Sequence, residues 1–215
     1  MARLKVGVLI SGRGTNLGAL IDACADPTFP AEIALVLSNK GDAKGLARAR
    51  GAGLKVAVID HRGKARESFD AEVDAALRAA GVEFICLAGF MRLFTAAFVE
   101  RWYNRILNIH PSLLPSFKGL HVHEQTLAAG VRIGGCTVHV LRFAMDTGPI
   151  VVQAAVPVLD GDTPESLADR ILAAEHKIYP LALRLFAEGR ARVEGDHVRI
   201  SGSYEPEGAL ISPPA

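Results

Sequence analysis

Cysteine is scarce in this sequence, with only Cys24, Cys86 and Cys136 in 215 residues. No two of them form a CxxC pair, and two lie in apolar stretches. A disulfide framework needs paired cysteines, and a zinc knuckle needs closely spaced ones. The sequence therefore argues against both kinds of scaffold. It predicts buried free thiols in a reducing compartment, which we expect to be the cytoplasm.

An excess of charge of one sign is also missing, because 24 basic residues face 23 acidic ones and leave a net charge of +1. Nucleic acids and anionic membranes are bound by basic surfaces, so neither partner is expected. The apolar run at the N-terminus stops at Ile10, too early to span a bilayer, and no small-residue cleavage site follows it. These absences favour small molecules as partners, bound at a local site.

What the first half of the chain does contain is an alternation of short β-rich runs and stretches with helical spacing. The runs lack inside-outside alternation, which is typical of parallel strands covered on both faces. The sequence therefore predicts an α/β fold with a doubly wound, mostly parallel sheet and helices on both faces. The predicted strands are Lys5–Ile10, Ile33–Leu37, Lys55–Ile59, Glu83–Leu87 and Arg105–Ile109, and the predicted helices are Asn16–Cys24, Ala43–Arg50, Arg66–Ala80 and Ala96–Tyr103.

The second half of the chain does not continue this regular alternation of strands and helices. A loop rich in proline, serine, glycine and histidine runs to His123, and antiparallel additions are expected toward the C-terminus. No linker separates two domains, so we expect one domain over residues 1–202, made of two halves (1–103 and 104–202), and a loose tail (203–215). Its predicted elements are a short helix ending at Ala129, strands Gly135–Phe143 and Ile150–Val158, a helix Pro164–Phe186 capped by Thr163, and a hairpin Arg192–Ile200.

A glycine-rich loop, Ser11–Asn16, joins the first predicted strand to the first helix. Glycines let backbone amides approach an anion, and a helix N-terminus adds the positive end of its dipole. The P-loop pattern is absent, and the dinucleotide fingerprint fails because Leu17 stands at its third glycine. We expect the loop to hold a monophosphate, with Thr15 and Asn16 as donors or helix caps. A tight turn with a helix cap is the alternative.

Asn108 and His110 form the most informative pair in the chain. Residues two apart on a strand project from one face, and Pro111 favours an extended conformation at His110. The pair would then lie at the carboxyl end of a parallel strand, where α/β sheets build their binding crevices. An amide and an imidazole can stabilise the oxyanion of acyl or formyl transfer, and Asp146 could order a water for proton transfer. The alternative is a buried histidine and asparagine that satisfy backbone groups.

Three other candidates leave their roles open. His121 and His123, with Cys136 and His139, give only a weak metal signal, and loop solvation or a cavity lining is the favoured alternative. Glu175 lies on an apolar helix sector, where it could contact a substrate or pair with Arg184 or Lys177. Arg92 follows a strand end and could serve in packing or in ligand recognition.

Taken together, these stretches resemble the phosphoribosylglycinamide (GAR) formyltransferase family along nearly the whole chain. The NIHPSLLP segment with the later DTGP turn is specific for formyl transferases that use 10-formyltetrahydrofolate, and the glycine loop and the AEHKIYP helix narrow it to the GAR member. The matching stretches are SGRGTNL at 11–17, LAGFMRLF at 87–94, LNIHPSLLP at 107–115, GLHVHEQTL at 119–127, MDTGPIVVQ at 145–153 and AEHKIYPL at 174–181.

The resemblance implies a folate-dependent enzyme of purine synthesis that transfers the formyl group of 10-formyltetrahydrofolate to the amine of GAR, without a metal. Thr15 stands where the family often has serine, and Lys118 replaces a more usual proline. The implied roles are catalysis by Asn108, His110 and Asp146, substrate binding by Gly14, Thr15, Asn16 and Glu175, and folate binding by Arg66, Met91, Arg92, Leu93, Phe94 and Asn108.

Several alternatives remain to be distinguished. Methionyl-tRNA formyltransferase resembles this core but carries a further C-terminal domain and a basic surface, and formyltetrahydrofolate hydrolase carries an extra N-terminal domain; we expect neither domain here. A transferase acting on another amine, or a binding module that senses a phosphorylated metabolite without catalysis, would share the glycine loop. The expected assembly is a monomer or a homodimer.

Overall fold

Seven strands form the main sheet of the computed structural model, which describes residues 2–202 and 212. Along the chain they are β1 (Leu4–Ile10), β2 (Ala31–Ser38), β3 (Val56–Val58), β4 (Phe84–Leu87), β5 (Ile106–His110), β6 (Ile133–Val140) and β7 (Ile150–Pro157). Their order in the sheet is β3-β2-β1-β4-β5-β6-β7. The first five pair in parallel and β6 pairs with β7 antiparallel. The predicted mostly parallel sheet with later antiparallel additions is confirmed.

Helices cover both faces of the parallel strands, as predicted. Along the described chain the helices are α1 (Thr15–Ala25), α2 (Lys44–Gly51), α3 (Arg66–Ala79), α4 (Ala96–Arg101), α5 (Val122–Ala128) and α6 (Pro164–Ala187). On one face α3 packs so closely that a Cβ at Gly7 would lie 2.6 Å from Leu77 Cδ2. On the other face a Cβ at Gly45 of α2 would lie 2.6 Å from Ile10 Cδ1. None of the helices within residues 2–202 is long and apolar enough to cross a membrane.

The chain divides into two compact units by its internal contacts. The first unit contains residues 1–108 and 140–143, and the second contains residues 109–139 and those from 144 onward. The division into halves 1–103 and 104–202 stays a prediction, and the expected loose tail lies outside the described residues apart from residue 212.

In the first unit, buried Asp74 on α3 ties that helix to α4. Its carboxylate accepts hydrogen bonds from Arg78 Nε at 3.1 Å, from Arg101 Nη1 at 2.7 Å and from the indole of Trp102 at 2.9 Å. Burial acts to raise the pKa of Asp74, but these hydrogen bonds and the arginine charges outweigh it, so the pKa is lowered. The pair of helices is therefore held by a charged anchor as well as by apolar packing.

Two helix ends in the sequence prediction were wrong, and backbone conformation explains both. The predicted helix to Tyr103 ends at Arg101, because Trp102 leaves the helical region and Asn104 adopts a positive φ of 59° on the way into β5. The loop predicted to run to His123 ends earlier, because His121 at φ 56° starts α5 at Val122. Side-chain spacing alone does not reveal residues with positive φ.

The antiparallel strand predicted as Gly135–Phe143 is also displaced, and β6 ends at Val140. Its ladder with β7 runs out at the His139–Ile150 pair, just after a register irregularity. Beyond it, the amide of Leu141 donates to Ile106 O at 2.8 Å, which carries residues 140–143 into the first unit.

In the second unit, the long helix α6 packs on β7 and α5 and presents an apolar face that contains Leu167, Ile171 and Tyr179. Thr163 is its N-cap, as predicted, and forms a reciprocal capping box with Ser166. A two-stranded sheet follows, made of β8 (Ala191–Glu194) and β9 (His197–Ile200), which confirms the predicted hairpin.

Candidate active site

His110 is the last residue of β5 and is 95% buried, with 5% of its surface exposed. Asn108 lies two residues earlier on the same strand, where Leu87 of β4 is its partner in the parallel ladder. Since strand residues two apart project from one face, β5 holds the amide and the imidazole on a common side. The extended geometry predicted from Pro111 is what carries the strand through His110.

The two nitrogens of the His110 ring face different groups. Nε2 lies 2.9 Å from the carbonyl oxygen of Phe117, which also accepts a hydrogen bond from Ser112 Oγ at 3.0 Å. A carbonyl oxygen can only accept, so Nε2 carries the hydrogen in this arrangement. Nδ1 faces the carboxylate of Asp146, with 3.6 Å between Nδ1 and Oδ2. Nε2 is therefore a hydrogen-bond donor, and Nδ1 lies beside a carboxylate.

Asp146 is held in place by backbone and side-chain groups. It adopts a positive φ of 52°, and its Oδ2 accepts a hydrogen bond from the amide of Gly119 at 2.9 Å. Its other oxygen, Oδ1, lies 3.8 Å from Nε2 of His139, an imidazole that is wholly buried in β6. Asp146 thus sits between two histidines, only one of which the sequence analysis linked to it.

The loop after His110 is tied to the strands that follow it. Thr137 Oγ1 donates to Ser112 O at 2.7 Å and accepts from the amide of Leu114 at 3.0 Å. Gln153 on β7 donates to Leu114 O at 2.9 Å, and Gln125 on α5 donates to Leu120 O at 2.7 Å. These bonds set the path of the loop, which brings the Phe117 carbonyl to His110 and the Gly119 amide to Asp146.

His121 and His123 have different surroundings in the structure. His121 is exposed, with its Nδ1 3.4 Å from Glu124, whereas His123 lies half-buried on α5. Burial lowers the pKa of His123; the charge of Glu124 opposes this effect and that of His110 adds to it. No group of three or more histidine, cysteine, aspartate or glutamate side chains that could hold a metal ion occurs within residues 2–202.

Glu175 lies on the apolar face of α6 with 6% of its surface exposed. Its position on the apolar sector agrees with the sequence analysis. Burial raises the pKa of the Cys136 thiol to about 12, and the negative charge of Glu175 acts in the same direction. The carboxylate is therefore near β6, inside the second unit.

The glycine loop of the first unit leads directly into α1. Gly14, not Thr15 or Asn16, occupies the N-cap position at φ 71°, and no side chain caps the helix. The helix's own bonding begins with the amide of Gly18 donating to Gly14 O at 3.0 Å, which leaves the amides of its first turn outside the helical pattern. Capping by Thr15 or Asn16 is therefore wrong, and the loop has the backbone form of an anion site.

The start of α2 packs closely against the glycine loop. A Cβ on Gly14 would lie 2.6 Å from the Cα of Gly45, and the amide of Gly45 donates to Gly12 O at 3.0 Å. No larger residue fits at Gly14 unless the loop and α2 move apart. The first turn of α1 is thus fixed by contact between backbones.

The segment Met91–Phe94 divides its side chains between surface and core. Met91 and Leu93 are exposed, at 69% and 53%, whereas Phe94 is buried and stacks on Phe98 with 4.1 Å between ring centroids. The guanidinium of Arg92 lies 4.7 Å above the Phe69 ring. Arg66 is the first residue of α3 and is exposed. All of these residues belong to the first unit.

Most of the chain matches one protein family. Residues 4–183 match the formyl transferase family. The chain belongs to that family. It is 41% identical to a phosphoribosylglycinamide formyltransferase of Escherichia coli, over 94% of this chain and 96% of the relative. The resemblance to GAR formyltransferases stated from the sequence is confirmed.

A solved structure and a longer protein are also similar to this formyl transferase chain. A crystal structure of glycinamide ribonucleotide transformylase 1 from Symbiobacterium toebii superposes with a TM-score of 0.90 at 52% identity, and 92% of this chain and 94% of that one are covered. A trifunctional purine biosynthetic protein of Gallus gallus is 53% identical over 89% of this chain. This chain spans only 19% of the length of that relative.

Sequence reasoning missed four contributors to these two regions. The Phe117 carbonyl and the Gly119 amide are backbone groups, and no side-chain pattern marks them. His139 entered the sequence analysis only through a weak metal signal, for which loop solvation or a cavity lining is the favoured alternative. Ser11 had been noted only as the start of the glycine loop, although its hydroxyl bonds to two distant segments.

Proposed function

We propose that this chain transfers the formyl group of 10-formyltetrahydrofolate to the amine of 5′-phosphoribosylglycinamide, giving N-formyl-GAR and tetrahydrofolate in purine biosynthesis. The observation that carries the proposal is the His110 ring, with its Nε2 hydrogen directed at Phe117 O and its Nδ1 3.6 Å from Asp146. A positioned hydrogen donor beside a carboxylate suits the formation and collapse of a tetrahedral intermediate. The name of the E. coli relative, 96% of which is covered by this chain, supports the choice of the acceptor.

In the proposed reaction the amine nitrogen attacks the formyl carbon, and the formyl oxygen takes on negative charge. Asn108 and His110 donate hydrogen bonds to this oxyanion. In the structure the Nε2 hydrogen is directed at Phe117 O. We infer that the oxyanion replaces that carbonyl on Nε2 during the reaction, because one ring hydrogen cannot serve both acceptors well.

Protons and leaving group balance without another reactant. The attacking amine loses one proton, N10 of the folate gains one as its bond to the formyl carbon breaks, and tetrahydrofolate departs. Asp146 is the carboxylate nearest His110, and we propose that it orders a water that relays this proton. The sequence of steps requires neither a metal ion nor a redox cofactor.

On the substrate side, we propose that Gly14, Thr15 and Asn16 hold the phosphate and that Glu175 contacts the substrate. The left-handed Gly14 at the N-terminus of α1, where the helix dipole is positive, supports the phosphate assignment. Glu175 is a carboxylate on a buried face of α6, a position suited to recognising an amine or hydroxyl of a bound molecule.

On the folate side, we propose that Asn108 and the first-unit residues Arg66, Met91, Arg92, Leu93 and Phe94 bind the co-substrate. Exposed Met91 and Leu93 offer apolar contact for a flat ring system. Arg66, at the positive end of α3, offers charge for a carboxylate. Phe94 is buried, so its part is to support the segment from beneath. We further propose a cytoplasmic enzyme, monomeric or homodimeric, whose partners are these small molecules.

The test is a single assay with three arms, in which the protein and 10-formyltetrahydrofolate are mixed with GAR, with another sugar amine, or with no amine. Folate absorbance is followed in each. We expect a change that requires GAR. A change without any amine would mean a hydrolase, a change with the other amine alone would mean a different acceptor, and no change in any arm would favour a non-catalytic binding module.

A further inference from the structure

Ser11 stands where three neighbouring parallel strands end. It follows β1, which lies between β2 and β4 in the sheet. Asn39 follows β2, and Gly89 comes shortly after β4. All of these residues belong to the first unit, and Ser11 and Asn39 are buried, with 6% and 1% of their surfaces exposed. Buried polar groups at such a position need partners, and each of these has one.

Three hydrogen bonds radiate from Ser11. Its hydroxyl donates to Asn39 Oδ1 at 2.6 Å and accepts from the amide of Met91 at 2.8 Å. Its own amide donates to Gly89 O at 3.1 Å. The bonds to Gly89 and Met91 bracket the left-handed turn at Gly89, whose φ is 73°. One serine therefore fixes the point from which the 91–94 segment leaves the sheet.

The network continues to the next strand of the sheet. His61 follows β3, and its Nδ1 lies 3.0 Å from the backbone oxygen of Asn39. The carboxyl ends of β3, β2, β1 and β4 are thus linked in sheet order through His61, Asn39 and Ser11. Because Ser11 is the first residue of the glycine loop, its hydrogen bond from the Met91 amide joins the loop directly to the 91–94 segment.

We propose that Ser11 is a positioning residue that couples the glycine loop to residues 89–94, so that an anion on the loop strengthens folate binding at Met91–Phe94. The identity of the two ligands rests on the proposed function, whereas the link itself is a property of the free protein. A ligand that orders the loop fixes Ser11, and Ser11 then fixes the Gly89 carbonyl and the Met91 amide. Such coupling is reciprocal, so the folate strengthens binding of the anion equally.

The first experiment needs no ligand and no activity. Hydrogen exchange of the full chain is compared for the unmodified protein, Ser11→Ala, Ser11→Cys and Ser38→Ala. We expect the Met91 amide to exchange about two- to tenfold faster in both Ser11 variants, since alanine removes and cysteine weakens the hydrogen bond that this amide donates to the hydroxyl. Ser38 is a matched control, because its buried hydroxyl bonds only to the backbone of Lys40, at 2.8 Å from the carbonyl. Unchanged Met91 exchange in the Ser11 variants, or an equal change in Ser38→Ala, would overturn the link.

The second experiment measures the coupling by titration calorimetry. Tetrahydrofolate is titrated into each protein with and without GAR. In the unmodified protein and in Ser38→Ala, GAR should raise the affinity for tetrahydrofolate about fivefold or more. In Ser11→Ala this gain should be lost. Independent binding of the two ligands to the unmodified protein, or a full gain in Ser11→Ala, would contradict the proposal. Failure of the proposed function would appear instead as absent formyl transfer with the Met91 exchange result intact.

Discussion

The glycine loop and the surroundings of His110 differ in the chemical groups that form them. The loop is made of backbone: Gly14 takes a left-handed conformation, packs closely against the Cα of Gly45, and precedes the first turn of α1. Around His110 the titratable groups are side chains, namely two imidazoles and the carboxylate of Asp146 between them, with the Phe117 carbonyl and the Gly119 amide as backbone partners. The first region is therefore vulnerable to added atoms and the second to removed ones.

This difference matches the tasks that we propose for the two regions. A phosphate keeps its charge through the reaction, so fixed amide dipoles suffice to bind it. A formyl group changes charge and exchanges protons, which requires groups that can donate and accept. Substitutions in the two regions should accordingly separate chemistry from binding.

The largest effect is expected for His110→Ala. Turnover should fall by about 10²–10⁴-fold, the usual contribution of general acid-base catalysis, because the Nε2 hydrogen is lost. Affinity for GAR, measured by calorimetry, should stay close to that of the unmodified protein. His197→Ala, which removes an exposed imidazole from β9, is the matched control and should keep full turnover. Near-normal turnover in His110→Ala would place the chemistry elsewhere.

Asp146→Asn tests the charge beside His110 without a change of shape. Asparagine tolerates the positive φ of 52° at this position and can still accept from the Gly119 amide. We expect kcat to fall by roughly 10²-fold because the carboxylate no longer assists proton transfer, with KM for GAR little changed. A variant that instead lost affinity and kept kcat would show that Asp146 serves binding.

Gly14→Ala is the complementary test, in which an atom is added. The positive φ alone should cost roughly 1–2 kcal/mol of stability, and the contact with Gly45 adds to it. KM for GAR should rise more than kcat falls. Gly12→Ala provides the control, since a Cβ there meets nothing within 4 Å and stability should change by less than about 0.5 kcal/mol. Equal behaviour of the two variants in urea unfolding would refute a tightly packed loop.

The smallest effect is expected for Asp74, which joins α3 to α4 in the first unit. The pKa of Asp74 in the folded protein lies below its ordinary value of 3.8, so its stabilising contribution is complete above that value and is lost as the pH falls through the folded pKa. The stability difference between the unmodified protein and Asp74→Asn should therefore shrink as the pH is lowered below about 4. A difference that stayed constant between pH 6 and pH 2 would mean that charge plays no part in this anchor.

The parts of this molecule that the sequence predicts are those governed by local rules. Unalternating apolar runs located the parallel strands, Thr163 before Pro164 located the start of α6, and Pro111 after a buried strand located His110 at a strand end. In each case the residues that determine the conformation are neighbours in the chain.

The parts that escaped prediction depend on distant groups or on unusual backbone angles. Met91 and Ser11 are 80 residues apart, and no pattern in the sequence marks their hydrogen bond. Phe117 and His121 have positive φ, which is rare for such side chains and redirects the loop. His139 belongs to a strand whose register only folding reveals, so its approach to Asp146 was not foreseen.

The most direct test of the account follows a labelled formyl carbon through one turnover. The unmodified protein is mixed with GAR and 10-formyltetrahydrofolate that carries ¹³C in the formyl group. The products are then separated, identified and quantified by mass spectrometry. We predict that the label appears as an amide on GAR in an amount equal to the tetrahydrofolate released. Label recovered as free formate, or left on the folate, would contradict formyl transfer by this chain.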